Sequence, residues 1–416
     1  MMHLHLVASL VGCKAKIPEP IVPDTIWYGQ QTQDEAGRAL DVGTVSGVGS
    51  VLVGTPSESR DPESRNGGAY LLDGSTAAGT LDDVASAVML PATASQFGGD
   101  VAVLGDLTGD GIDDLGVTGV DEHEGPISSV HLYAGPVSGP VDAEQAWMQL
   151  AYAPTTETPD WLTACGDLNA DGADDLCVGA RGGVSGPTSQ AAVYYGPIAQ
   201  GELAFRDASV MLTADASECA GQAVDGEADL DGDGAPELVV GASCRNGYDG
   251  GLYVVSDPGT GTVPLADHPA WTGAPGTAGG AGQALAVGGD LDGDGLGDLF
   301  VGAPLFAERA GRGYLLTDPL AGGSLTAAAA SFDAGEGDFT GFDAAIADLD
   351  GDGVADLAIG APRDLYFAFD RPGQVAVFLG PLAPGPTAFD AADLRFTGSD
   401  APDMFGMTLD AGDLDG

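Results

Sequence analysis

Basic residues are scarce in this chain of 416 residues. Lys and Arg number 13 against 63 Asp and Glu, for a formal net charge of -50. Such a surface repels nucleic acid and anionic lipid, so neither is expected as a partner. Aromatic residues make up only 6% of the chain while Gly numbers 67, which excludes a bulky helical core and suits short strands and tight turns. No apolar run reaches the ~18 residues of a membrane-spanning helix. Histidine is limited to His3, His5, His123, His131 and His268, all scattered. There is no G-x-S-x-G elbow, P-loop, H-E-x-x-H or strand-following G-x-G-x-x-G. Paired carboxylates serve glycosidases, but nothing marks a pair here. The sequence therefore does not read as an enzyme, and it nominates no catalytic residue.

Against that background one pattern recurs. Nine residues of the form D-x-[DNT]-x-D-G-x-x-[DE] begin at Asp106, Asp167, Asp229, Asp290 and Asp348. Side-chain oxygens stand at positions one, three, five and nine. They belong to Asp106, Thr108, Asp110 and Asp114; Asp167, Asn169, Asp171 and Asp175; Asp229, Asp231, Asp233 and Glu237; Asp290, Asp292, Asp294 and Asp298; and Asp348, Asp350, Asp352 and Asp356. Oxygen ligands at this spacing can surround a hard divalent cation, and the Gly at position six allows the sharp turn that gathers them. Without a cation, three or four carboxylates would crowd together and repel. The loops predict calcium, about five ions, bound by oxygen alone.

The flanks argue against an EF-hand, which needs Glu at position twelve and a helix on each side. Position twelve is Val117, Val178, Val240, Val301 or Ile359, and position ten is always Leu. Aliphatics two apart are a strand signal. A second apolar run precedes each loop, often opened by Phe-Gly or Ala-Gly, as at Phe97-Gly98, Ala281-Gly282 and Phe405-Gly406. Each loop should thus join two antiparallel strands. A third strand is expected near Ala69–Leu72, Val130–Tyr133, Val193–Tyr195, Leu252–Val255, Tyr314–Leu316 and Val375–Phe378. Successive loops are 61, 62, 61 and 58 residues apart, a period that signals repeat architecture. One step back, Val42 to Ser50 forms a faded copy without carboxylates, where no metal is expected. One step forward, Asp413-Leu414-Asp415-Gly416 opens a seventh loop.

The Phe-Gly openings, acidic loops and Gly-Ala-Pro closings (Gly302-Ala303-Pro304, Gly360-Ala361-Pro362) resemble the FG-GAP repeat of integrin α-subunit β-propellers and many bacterial surface proteins. The resemblance covers residues 24–416. It implies an all-β fold, a seven-bladed β-propeller of the integrin α N-terminal type, with four strands per blade and calcium in the hairpin loops. The last blade would be incomplete, broken in the seventh repeat. The implied ligands are the twenty residues named above, with a backbone carbonyl from position seven: Ile112, Ala173, Ala235, Leu296 and Val354. Thr108 departs from the pattern as an uncharged ligand, which should make its site the loosest. Ile26-Trp27-Tyr28-Gly29 resembles Val193-Tyr194-Tyr195-Gly196 and is expected as a strand donated to the last blade.

Residues 1–13 read as a signal or lipoprotein leader and 14–23 as a short linker. Leu10-Val11-Gly12-Cys13 resembles a lipobox, which would make Cys13 a lipidation site, although no Lys or Arg precedes the short apolar stretch. Lys14 after that Cys fits an outer-membrane lipoprotein, and an extracellular surface protein is the companion expectation. Cys165 lies two residues before its loop and Cys177 two after, so a hairpin would bring them face to face. Cys219 and Cys244 bracket the next hairpin in a similar way. Two disulfides would imply an oxidising compartment, and buried free thiols are the alternative.

The functional expectation is an exported calcium-binding scaffold for cell-surface binding or adhesion, with a protein or glycan ligand and no membrane contact beyond a lipid anchor. The propeller of an extracellular carbohydrate-active lyase or hydrolase is the alternative. Arg60, Arg65, Arg181, Arg245, Arg309, Arg312, Arg363 and Arg371 fall in segments opposite the loops. They would form either an arginine-rich partner face or local pairs with neighbouring acids.

Overall fold

In the computed structural model of the chain, the described residues are 27–28, 35–57, 67–91, 96–121, 127–151, 157–182, 188–277, 279–335, 338–362, 372–398, 404–412 and 414. Alternating and β-branched apolar runs pair as up-and-down antiparallel strands, and these form six blades. The first blade consists of Leu40–Val45, Val48–Gly54, Ala69–Asp73 and Ala87–Leu90. The third consists of Glu157–Ala164, Leu176–Gly182, Thr188–Tyr194 and Val210–Asp215. The sixth consists of Ala344–Ala347, Asp356–Ala361, Gln374–Phe378 and Leu394–Thr397. All six expected third strands are present.

The expected seven blades are corrected to six. Among the described residues six sheets of four or five strands are formed, and the opening of the seventh repeat adds no further sheet. A blade needs paired strands, whereas residues 404–412 take turn and coil conformations. They are held instead by amide-to-carboxylate bonds to both neighbours: Leu409 N donates to the Asp343 side chain at 2.7 Å, and the Asp410 side chain accepts from Val42 N. The donated strand is also placed differently. Trp27–Tyr28 runs parallel to Gly79–Thr80 in a separate two-stranded sheet, with Trp27 buried against Val51, Tyr70, Leu81 and Leu414. In the faded first loop, Val42 to Val45 pairs with Val48 to Val51 across a tight Ser46-Gly47 turn.

Each of the first five blades gains a fifth strand that the sequence reading did not foresee. Gly139–Asp142, Gly201–Ala204, Gly261–Pro264, Gly323–Ser324 and Gly385–Ala388 each run parallel to the fourth strand of the preceding blade. Every such segment leads directly into a 3-10 turn with a buried apolar residue, such as Phe205 or Leu265, although at Gly323–Ser324 the residue is Leu325. The hydrophobic cores lie between blades rather than within them. One cluster joins Leu132 and Leu150 of the second blade to Leu176 and Tyr194 of the third.

A candidate calcium centre in each hairpin loop

Five hairpins carry the acidic loops at their tips, and the backbone bends sharply within each. The position-six glycines Gly111, Gly172, Gly234, Gly295 and Gly353 have φ of 86, 95, 93, 93 and 90. Only glycine adopts that region without strain. The fourth-blade loop shows the local logic. Asp229 accepts from Gly232 N at 2.6 Å and from Gly234 N at 2.9 Å, so the turn folds around its carboxylate. Asp231 accepts from Asp233 N, and Asp233 accepts from Ala235 N. Glu237 reaches back from the strand to take Leu230 N at 2.6 Å. These bonds fold the loop around its own carboxylates.

Three loops bring an acidic triad together with ligand oxygens within 4.8 Å of one another: Asp229, Asp231 and Glu237; Asp290, Asp292 and Asp294; Asp348, Asp350 and Asp356. The loops at Asp106 and Asp167 do not form such a triad. Both have a non-acidic residue at position three. Asn169 nevertheless turns its carbonyl oxygen inward as the aspartates do, accepting from Asp171 N at 2.9 Å. Thr108 instead donates to Asp106 at 3.3 Å.

Position nine is the buried member of every set. Asp114, Asp175, Glu237, Asp298 and Asp356 have almost no exposure. Burial, opposed in part by backbone hydrogen bonds and reinforced by the neighbouring loop acids, raises Asp114 and Asp175 to about 6 and Glu237 and Asp298 to about 7. Asp114 Oδ2 and Asp298 Oδ1 are buried with no hydrogen-bond partner. An orphaned carboxylate oxygen costs free energy unless something positive satisfies it. The donor set is oxygen only, which fits calcium. Position one behaves oppositely. Burial opposes ionisation of Asp106, Asp229 and Asp290, but several backbone N–H donors outweigh it and hold them below the usual carboxylate value.

Two groups of supporting residues were missed in the sequence. Gly135, Gly196 and Gly380 end third strands, and their N–H groups donate to Asp114, Asp175 and Asp356 at 2.9, 2.9 and 2.8 Å. In sequence each is marked only by the Pro that follows it, at Pro136, Pro197 and Pro381, which signals the end of a strand and not a carboxylate partner. The position-two leucines Leu107, Leu168, Leu230 and Leu291 enter the inter-blade clusters and pin each loop to the core. Their regular recurrence at position two was the available signal.

A family profile described as FG-GAP repeat matches residues 281–316 and 340–378. The chain carries FG-GAP repeats in these two segments, on an integrin α-like β-propeller. It is 31% identical over 152 residues to integrin alpha-PS2 of Drosophila melanogaster, covering 33% of this chain and 11% of that protein. It is 39% identical over 101 residues to integrin alpha-IIb of Homo sapiens, covering 22% and 9% respectively. The chain thus spans about a tenth of the length of these curated relatives. Among solved structures, Sqt1 from Chaetomium thermophilum aligns with a TM-score of 0.37 at 16% identity, over 85% of this chain and 72% of that one.

The geometry explains why an FG-GAP repeat needs both of its glycines. A Cβ on Gly241, in the closing motif of the fourth blade, would lie 2.1 Å from the carbonyl oxygen of Gly282, in the opening motif of the fifth. The same close approach recurs at Gly302 with Gly341 and at Gly360 with Gly406. The two motifs meet across the seam between adjacent blades.

The FG-GAP blades surround a cavity of 860 Å³ lined by Asp41, Asp100, Asp225, Asp343 and Asp410 among others. Asp41 accepts from Val103 N, Asp100 from Leu162 N, Asp225 from Val287 N and Asp343 from Leu409 N, all at 2.7 Å. Asp410 makes the same kind of bond to Val42 N in the first blade. Burial lifts Asp225 to about 8 and Asp343 to about 7, and burial with the adjacent Asp410 raises Asp41.

Of the described arginines, Arg245 and Arg312 pair with acids, but with Glu218 and Asp333 and not with the acids of their own segments such as Glu308. Arg245 lies over the Tyr253 ring and 3.9 Å from Glu218, and Arg312 stacks on Phe306 while bonding Asp333. Arg309 lies 6.0 Å from the Phe339 ring centre. Arg60, Arg65, Arg363 and Arg371 lie outside the described residues, as does the side chain of Arg181. The structure pairs Cys165 with Cys177 and Cys219 with Cys244 in disulfides, with Cα–Cα distances of 6.0 and 5.3 Å. Cys13 lies outside the described residues.

Proposed function

We propose that this chain is an exported, calcium-binding β-propeller that serves as a cell-surface scaffold for binding or adhesion. The observation that carries the calcium reading is the pair of buried, unpartnered carboxylate oxygens on Asp114 and Asp298, each beside further acids of its own loop. Calcium would be held by the residues at positions one, three, five and nine, and it would supply the positive charge that these clusters lack. Its role is structural: ions that bind the folded hairpins and not the unfolded chain add their binding energy to stability. Weak sites with Kd on the order of 10⁻⁴–10⁻³ M suit an extracellular setting, where calcium is plentiful.

Two disulfides support residence in an oxidising compartment. No helix among the described residues is long and apolar enough to cross a membrane. Membrane attachment would rest on residues 1–13 as a leader and on lipidation of Cys13. Likeness to integrin α chains supports a protein ligand, and a glycan is the other candidate. The test is calorimetric titration with calcium alongside thermal melts with and without EDTA. Several bound ions and a melting temperature lowered by chelator are expected. A melt indifferent to EDTA, with no heat of binding at millimolar calcium, overturns the proposal.

A further inference from the structure

The third-blade loop combines a reduced charge, which it shares with the second-blade loop, with a feature found in none of the other four. Its position-three ligand is Asn169, so it holds three carboxylates where the fourth-, fifth- and sixth-blade loops hold four. It is also the one with a covalent bond across its base, because Cys165 and Cys177 are joined two residues outside Asp167 and Asp175. The equivalent pairs elsewhere are Leu104 and Gly116, Glu227 and Val239, Gly288 and Phe300, and Ile346 and Ala358. The bridge is buried, with Cys165 and Cys177 at 0% and 1% exposure. It reinforces the backbone closure of the hairpin, where Asp175 N donates to Gly166 O at 2.9 Å and Cys165 N to Asp175 O at 3.2 Å. Asp175 itself is fixed by Leu168 N and Gly196 N, both at 2.9 Å.

We propose that the Cys165–Cys177 disulfide is a positioning element for calcium in the third-blade loop, holding its base in the binding geometry and so raising its affinity. The proposal rests on the calcium reading above. A metal that binds a loose loop must order its backbone, at about 1–2 kcal/mol per residue. A loop already closed at both ends avoids part of that cost. The brace thereby offsets the charge lost at Asn169. The Cys219–Cys244 disulfide cannot act in this way, because it flanks the Ala220–Ala242 pair at the far end of its hairpin from the acidic loop.

Coupling between two sites is reciprocal, so calcium must stabilise the bridge by the factor by which the bridge tightens calcium. Reduction by a dithiol breaks the S–S bond, places two electrons and two protons on Cys165 and Cys177, and leaves the dithiol as its cyclic disulfide. The experiment equilibrates the full chain with mixtures of reduced and oxidised dithiothreitol, with calcium or with EDTA, under conditions where circular dichroism stays native. Each disulfide is then quantified by alkylation and peptide mass analysis. Calcium should disfavour reduction of Cys165–Cys177 by roughly tenfold or more, the usual scale for a group that supports metal ligands. It should leave Cys219–Cys244 unmoved. In Asp171→Ala, which removes a ligand of this loop alone, the calcium effect on Cys165–Cys177 should vanish. Calorimetric calcium binding with an unchanged reduction equilibrium overturns the inference and leaves the calcium reading standing. So does an equal shift of both disulfides. Absence of calcium binding in the wild-type chain sinks both.

Discussion

Glu237 and Asp298 hold protons near neutral pH because their loops bury them beside other acids. Their folded-state pKa values of about 7 lie above the unfolded carboxylate value. The stability they contribute is therefore complete below about pH 4 and is lost as pH rises through 7. Asp106, Asp229 and Asp290 are shifted down, so their contribution changes only at lower pH. In EDTA the melting temperature should fall between pH 5 and pH 8, and saturating calcium should flatten that slope. Glu237→Gln should remove part of the fall, and an unchanged slope in that variant would reject the assignment. At the other end of the ligand series, Thr108→Asp should tighten calcium at the second-blade loop by roughly tenfold, because affinity follows ligand charge count. Calorimetry of that variant beside wild type is the check.

At the scale of elements, each hairpin was legible because aliphatics alternate on both sides of a loop whose own chemistry is unmistakable. The fifth strands were not. Gly261-Thr262-Val263-Pro264 is short and ends in proline, so its residues read as a turn until a neighbouring blade supplies the other half of the ladder. Leu230 is legible only by comparing repeats, since a leucine inside one acidic loop has no local periodicity, while its recurrence at position two does mark it. It is 3% exposed and packs with Leu299 and Leu316 of the next blade. Leu230→Ala should cost about 2–5 kcal/mol in chemical denaturation and should also weaken calcium at its loop. Gly282→Ala places a methyl group 2.1 Å from the Gly251 carbonyl oxygen and should lower the melting temperature more than Gly293→Ala, where the added atom meets open space.

For the whole molecule, the period revealed a ring of like units but not how many blades it holds. Counting unit openings gives seven, whereas a blade exists only where strands find partners, and among the described residues six do. The aspartates that join successive blades escaped notice because each is isolated in sequence. Asp41, Asp100, Asp225 and Asp343 each bond an amide 62 or 66 residues away. Asp343→Ala should accelerate hydrogen exchange at the Leu409 amide while leaving the Val103 amide protected. Equal exchange at Leu409 in both proteins would show that the seam is held by other contacts.

Because the fifth strand of each of the first five blades comes from the unit that follows it, none of those five can finish ahead of its successor. A nascent chain emerging from its amino end would carry one unprotected outer strand forward at all times, moving it along as each new unit arrives. Such an edge invites pairing with other chains. Biogenesis of this protein should therefore depend on a holding factor that shields extended strands until the wheel has been laid down.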